Sequence, residues 1–201
     1  MGGIQSDNDM LQQWWQQCLN NDTGAFAAIH EALFEGLYNY AAKLLDDEDL
    51  ADDAIQDLFI KIWNKRFSIG SLRKVKPFFY TTLRRQVLNQ LRDSKVRHIK
   101  ISMTAEPAIE FSQEEIFIQK EADAGLKEKI ISLLNSLPER QRELIYLHYF
   151  ENLTITQIAE IMNINQQSAM NIKQRALQKM RSVNLLHLFL LLCTICHPGN
   201  F

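Results

Sequence analysis

The sequence predicts an all-α protein made of two small helical domains joined by a linker. Three observations predict it. Of 201 residues, 46% are hydrophobic while only 7 are Gly and 4 are Pro, which excludes collagen-like, mucin-like and disordered chains. Apolar residues recur at spacings of three and four along most of 22–97 and again over 126–180. Between these stretches, residues 100–124 lose the period, contain Pro107 and are acidic.

Asp22-Thr23 is a helix start, and Phe26, Ile29, Leu33, Leu37, Tyr40, Ala41 and Leu44 then line one face. The next segment carries the clearest period. Leu50, Ala51, Ala54, Ile55, Leu58, Phe59, Ile62 and Trp63 point one way; Asp52, Asp53, Gln56, Asp57, Lys61 and Asn64 point the other. Phe67 to Ser71 reads as a loop, and Pro77 starts a third helix to about Arg97 with Phe78, Leu83, Val87 and Leu91 inward.

A first domain therefore spans 20–99 and a linker 100–124, with a short helix expected near Ile116-Phe117-Ile118. The second domain, 125–182, begins with a helix from Leu126 to Leu137. Ser136-Leu137-Pro138-Glu139 follows as a turn with a capping box and Pro at the first helical position, opening a helix through Leu144, Ile145 and Leu147. Thr154 with Gln157 forms a second capping box before a short helix with Ile158, Ile161 and Met162 inward. Asn163 ends that helix in the left-handed conformation, and Asn165 caps one more with Ala169, Ile172, Ala176, Leu177 and Met180 inside. Two short helices joined by a tight turn, the second exposing Gln167, Met170, Asn171, Lys173, Gln174 and Gln178, form a helix-turn-helix pattern.

The net charge of −2 hides a strong division along the chain. Residues 1–60 hold 12 Asp/Glu against one Lys, whereas residues 61–100 hold 12 Lys/Arg against one acid, Asp93, a local charge of +11. Such a block is the footprint of phosphate neutralisation, and the acidic segments call for other partners. No Gly-rich phosphate loop, nucleophile elbow or metal-ligand spacing occurs, and His30, His98, His148, His187 and His197 are scattered, so the sequence predicts no enzyme, no cofactor, no metal and no small-molecule substrate. His148 reads as a partly buried helix residue. The N-terminus lacks a basic segment followed by an apolar one, and Cys18, Cys193 and Cys196 do not make a disulfide framework; both predict the cytoplasm. Gly2 with Ser6 fits a myristoylation pattern too short to carry weight.

Asp49-Leu50-Ala51-Asp52-Asp53-Ala54-Ile55-Gln56-Asp57-Leu58-Phe59-Ile60-Lys61-Ile62-Trp63 resembles region 2 of the extracytoplasmic-function (ECF) sigma factors, which typically reads D-A-E-D-x-x-Q-E-x-F-x-x-x-W. Pro77 through Asn89 and Arg92 is similar to the helix that follows it in that family. Leu137-Pro138-Glu139-Arg140-Gln141-Arg142 resembles the L-P-x-x-x-R opening of region 4, and Ile158 to Leu177 its helix-turn-helix. The likeness runs in order over about residues 20–182.

The resemblance implies a sigma subunit that binds core RNA polymerase, recognises and melts promoter DNA, and catalyses nothing itself. By it, Asp52, Asp53, Gln56 and Asp57 dock on the polymerase clamp. At the −10 element, holding a flipped base costs a few kcal/mol of unstacking, repaid by stacking and polar contacts. Arg66, Arg73, Lys74, Lys76, Arg84 and Arg85 are the phosphate candidates, Phe67 and Tyr80 the stacking ones, and Asn89 with Arg92 matches the family's polar positions. At the −35 element, Ser168, Met170, Asn171 and Gln174 are placed to read bases and Lys173, Arg175 and Lys179 to hold phosphates. Four positions depart from the family: Phe79 replaces a small or aliphatic residue, Met170 and Ile172 stand where basic residues are common, and Asn163 replaces a Gly. Members with a Gln/Asn-rich recognition helix and an apolar tail, as here, are often paired with a membrane-spanning anti-sigma factor, and the resemblance implies such a partner.

Residues 183–201 form an apolar tail. From Val183 to Cys196 it would reach only ~21 Å as a helix, short of the ~30 Å of a bilayer core, which disfavours a transmembrane anchor. Packing on the second domain, cover by an anti-sigma partner and association with a membrane surface stay open. Cys193-Thr194-Ile195-Cys196-His197 matches C-x-x-C-H, but haem attachment needs export and a surrounding pocket domain, and neither is legible. Two rival readings stand beside the sigma factor. A helix-turn-helix activator acting without core polymerase leaves the acidic helix and the +11 block unexplained, and a redox or haem carrier built on the tail leaves out nearly the whole chain.

Overall fold

The computed structural model describes residues 3–97, 109–112 and 124–182. The chain divides into two compact units, Gly2–Pro107 and Ala108–Phe201, with the division inside the stretch read as linker. The described elements are helices and turns. The helix expected near Ile116 and the apolar tail with Cys193, Cys196 and His197 lie outside the described residues.

The first unit has four helices: α1 (Gly3–Leu19), α2 (Thr23–Leu45), α3 (Glu48–Ile69) and α4 (Val75–Arg97). Asp22 caps α2 by accepting from the Ala25 N–H at 3.0 Å, and Asp47 caps α3 in the same way through Leu50. Ile29, Leu33, Leu37 and Tyr40 from α2, Ala51, Ala54, Ile55, Leu58 and Ile62 from α3, and Val75, Phe79, Tyr80, Leu83 and Val87 from α4 make the core. Helix α1 was not foreseen. It closes this core with Leu11, Trp15 and Cys18, spaced by four and three, and Trp15 is fully buried. Burial pushes the Cys18 thiol up to about 11, with Asp22 adding to the effect, so it packs as a small apolar group.

Several sequence expectations need correction here. Phe67–Ile69 belongs to α3 and not to a loop, because the helix continues until Gly70 ends it at φ 70. Helix α4 starts at Val75, leaving Pro77 within the first turn, where its missing N–H costs nothing. Leu50 is not inward but 47% exposed, and of the aromatic run Phe79 and Tyr80 take the core while Phe78 lies half-buried outside it.

In the second unit α5 (Ala124–Asn135) leads to α6 (Glu139–Ile145), which continues as a π-helical turn, Tyr146–Phe150. Pro138 is itself the N-cap of α6, and the Ser136 hydroxyl donates back to the Leu133 carbonyl, so the expected capping box is absent there. The capping box of Thr154 and Gln157 on α7 (Ile155–Met162) is present with both reciprocal hydrogen bonds, and Asn163 takes φ 53 as expected. Asn165 accepts from the Ser168 N–H at 2.7 Å at the start of α8 (Gln166–Ser182), which buries Ala169, Ala176 and Met180 and leaves Ile172 and Leu177 half-buried. Ile109 and Phe111, read as linker, are buried in this unit. The Phe111 N–H donates to Asn135 Oδ1 at 2.8 Å, and Asn135 Nδ2 donates back to the Phe111 carbonyl at 3.0 Å.

Candidate nucleic-acid and partner interface

The acidic face of α3 follows from its register. With Ala51, Ala54, Ile55, Leu58 and Ile62 turned into the core, Asp52, Asp53, Gln56 and Asp57 are all exposed. Asp57 accepts from Lys61 Nζ at 2.8 Å, an exposed pair contributing under about 1 kcal/mol. Leu50 and Ile60, 47% and 58% exposed, fall in line with Asp53 and Asp57 at spacings of three and four. The surface is therefore carboxylates flanked by bare aliphatics. Sequence reasoning missed both aliphatics, although Ile60 stands visibly outside the inward series 51, 54, 55, 58, 62. The Tyr38 phenol is pushed up by desolvation first and then by the field of Glu48, Asp52 and Asp49.

Residues 61–97 of the +11 block occupy the end of α3, the loop 70–74 and α4, and 98–100 lie outside the described residues. Arg73, Lys74, Arg85, Asn89 and Arg92 are exposed, and Arg85, Asn89 and Arg92 share one face of α4 at spacings of four and three. Arg92 Nε lies 3.7 Å from Asp93 Oδ1, and Arg84 and Lys76 are half-buried, with Lys76 Nζ 5.6 Å from the Tyr80 ring centroid.

Two expected roles do not survive the geometry. Tyr80 is 1% exposed and its ring lies 5.5 Å from that of Tyr40, so no base can stack on it. Phe78, in phase with Arg85, Asn89 and Arg92, is the aromatic on the accessible side, whereas Tyr80 is in phase with buried Leu83 and Val87. Arg66 does not reach outward. Its guanidinium lies 3.9 Å from the Trp63 ring centroid and 4.3 Å from that of Phe67, and it donates to the Trp63 carbonyl at 2.7 Å and to Asn21 Oδ1. It stiffens the end of α3, and Phe67 remains 58% exposed beside it.

On α8, Gln167, Met170, Asn171, Gln174 and Arg175 are exposed and Ser168 is half-buried, with Gln167 Nε2 donating to Asn171 Oδ1 at 3.1 Å. Lys179 is exposed and donates to the Ser136 carbonyl. Lys173 is the exception. It shares the inward register of Ala169, Ala176 and Met180, and its Nζ lies 2.7 Å from His148 Nε2 and 5.7 Å from the Tyr149 ring centroid. Desolvation lowers its pKa. Lys173 is thus a packing residue, not a phosphate contact, and the helical period held the signal, since 169, 173, 176 and 180 form one stripe.

The family model for Sigma-70 region 2 matches residues 30–97 and that for Sigma-70, region 4 matches 127–180, together more than half of the chain. The ECF RNA polymerase sigma factor SigK of Mycobacterium sp. (strain KMS) is 22% identical over 167 residues, covering 81% of this chain and 82% of that one. This chain belongs to the ECF subfamily of sigma-70 factors. ECF sigma factor SigM of Bacillus subtilis (strain 168) is 24% identical over 77% of this chain and 92% of its own, and SigV of the same organism 28% identical over 73% and 83%. Among solved structures, CnrH in complex with the cytosolic domain of CnrY matches with a TM-score of 0.57 at 17% identity, over 87% of this chain and 96% of that one. The sigma factor RpoE bound to the anti-sigma factor NepR from Bartonella quintana matches at 0.55 and 21% identity, over 78% and 94%. In this ECF factor the region 2 match holds the acidic face and the basic block as far as residue 97, and the region 4 match, 127–180, holds most of the helix-turn-helix.

Proposed function

We propose that this ECF sigma factor docks on core RNA polymerase through the acidic face of α3, captures the −10 strand with the α3–α4 loop and α4, and reads the −35 element with α8. The observation carrying this reading is the pairing, on one chain, of an exposed carboxylate face and a strongly basic segment in region 2 with a helix-turn-helix in region 4. Polymerase docking falls to Asp52, Asp53, Gln56 and Asp57 with Leu50 and Ile60. Phe67 and Phe78 offer stacking surfaces, Arg73, Lys74, Arg84 and Arg85 neutralise phosphates, and Asn89 with Arg92 meets the captured strand. Ser168, Met170, Asn171 and Gln174 face base edges at −35, flanked by Arg175 and Lys179.

The mechanism is recognition and strand capture, with no reaction catalysed, and it operates in the cytoplasm. Among the described residues no helix is long and apolar enough to cross a membrane. Both solved neighbours are complexes, of CnrH with CnrY and of RpoE with NepR, which supports an anti-sigma partner for this chain as well. Run-off transcription with core polymerase, with and without the protein, tests the reading. New promoter-specific transcripts that vanish with Asp52→Ala/Asp57→Ala are expected; duplex binding without any gain of promoter specificity by the polymerase would make it an activator instead.

A further inference from the structure

The α3–α4 loop lies between two long helices and carries Arg73 and Lys74, yet its own backbone ties are few. Gly70 N–H donates to the Arg66 carbonyl at 3.0 Å as α3 ends. The brace comes from α1. The indole N–H of Trp15 donates to the Gly70 carbonyl at 2.8 Å, from a ring that is 0% exposed and set edge-on to Phe79 with centroids 6.4 Å apart. One heptad earlier on the same face, Asn8 Nδ2 donates to the Arg73 carbonyl at 3.4 Å. The turn after α1 adds Asn21, whose side chain accepts from Arg66. Helix α1 thus runs as a splint along the end of α3 and the loop.

Gly70 completes the device. At φ 70 and ψ −155 it occupies a region essentially confined to glycine, which turns its carbonyl to the indole. A Cβ there would meet nothing within 4 Å, so only the backbone conformation demands glycine. A loop carrying two cations and taking a single strand pays in ordering entropy whatever it has not paid on folding, and a fixed carbonyl at its start removes part of that cost.

We propose that Trp15 is a positioning residue for −10 strand capture: anchored in the core, its indole N–H holds the Gly70 carbonyl and so presets the loop that presents Arg73 and Lys74. This rests on the reading that the loop and α4 take the −10 strand.

The test uses full-length protein with core polymerase and two fluorescent single-stranded oligonucleotides, one bearing the −10 sequence defined by run-off with the wild type and one scrambled. Trp15→Phe keeps the ring and deletes the donor. It is expected to lower the ratio of matched to scrambled affinity about fivefold, the worth of one net hydrogen bond, with core affinity and −35 duplex binding unchanged. Gly70→Ala reaches the same loop without touching the core and is expected to do likewise, and the double variant to lose little more than either, because both act through one carbonyl. An unchanged ratio in Trp15→Phe and Gly70→Ala, or losses that multiply in the double variant, overturns the proposal while leaving the sigma reading intact. A wild type with no selectivity for the matched strand overturns that reading and the proposal with it.

Discussion

Lys173 Nζ donates to His148 Nε2 across 2.7 Å, and the opposite ring nitrogen, Nδ1, lies 2.8 Å from the Leu153 carbonyl. An ammonium only donates, so Nε2 holds the lone pair and Nδ1 carries the hydrogen. The recognition helix is thereby fastened to the π-helical turn by a neutral histidine of fixed tautomer. The His148 pKa is lowered, by desolvation first and further by Lys173, while the Leu153 contact opposes them.

A stability change with pH follows, and its sign is set. Because the folded pKa lies below the usual 6.5, the unfolded chain binds the proton more readily, so stability is full above 6.5 and declines as pH falls through the folded value. Thermal melts are expected to show the second unit losing Tm from pH 7 towards pH 5, with His148→Gln flattening the dependence. A pH-independent melt in the wild type would refute the assignment.

Lys173→Met is expected to leave −35 duplex affinity within about twofold and Tm equal or higher, since Met suits the stripe of Ala169, Ala176 and Met180. Arg175→Ala, on the exposed side, is expected to weaken binding to all sequences and reduce the slope of log affinity against log salt by about 1. Titrations at several salt concentrations distinguish the two; equal losses would return Lys173 to the DNA face.

The two aromatics of α4 separate in the same manner. Tyr80→Ala is expected to cost about 3–5 kcal/mol of stability in a denaturant melt, as for other large buried rings. Phe78→Ala is expected to cost −10 strand binding about 1–3 kcal/mol, measured by fluorescence anisotropy, with a much smaller change in stability.

For docking, Leu50→Ala/Ile60→Ala is expected to weaken core polymerase binding by over about 1 kcal/mol while leaving Tm nearly unchanged, because both side chains are already in water. Measured affinity equal to wild type would confine docking to the carboxylates.

Helices α2 and α3 were legible because each carries an apolar series too regular to mistake, and α7 because Thr154 and Gln157 announce it. Helix α1 escaped because its surroundings are glutamine and asparagine, and three inward residues, Leu11, Trp15 and Cys18, make a sparse stripe. The misplacing of Tyr80 and Lys173 has one cause, chemical type outranking phase, whereas Phe78, expected inward, shares its phase with exposed Arg85, Asn89 and Arg92. An aromatic in a basic block was taken for a stacking group and a lysine on a recognition helix for a phosphate contact, although their positions already matched buried neighbours. Arg66 was beyond phase altogether, since its fate depends on Asn21 at the far side of a turn. Nothing in the sequence marks the π-helical turn, within which Tyr146 and Phe150 stack with ring centroids 5.6 Å apart beside Phe111.

The Asn135 amide accepts from the Phe111 N–H and donates to the Phe111 carbonyl, as a facing peptide group does in a β-ladder. One side chain so plays the part of a neighbouring strand, beside described elements that are helices and turns. For anyone cutting the gene, a fragment of the second unit that keeps this pairing begins upstream of Ile109. A fragment opened at residue 125 would leave the Asn135 amide without these two hydrogen bonds and strip the Phe111 ring from Tyr146 and Phe150, and is expected to self-associate through the uncovered rings.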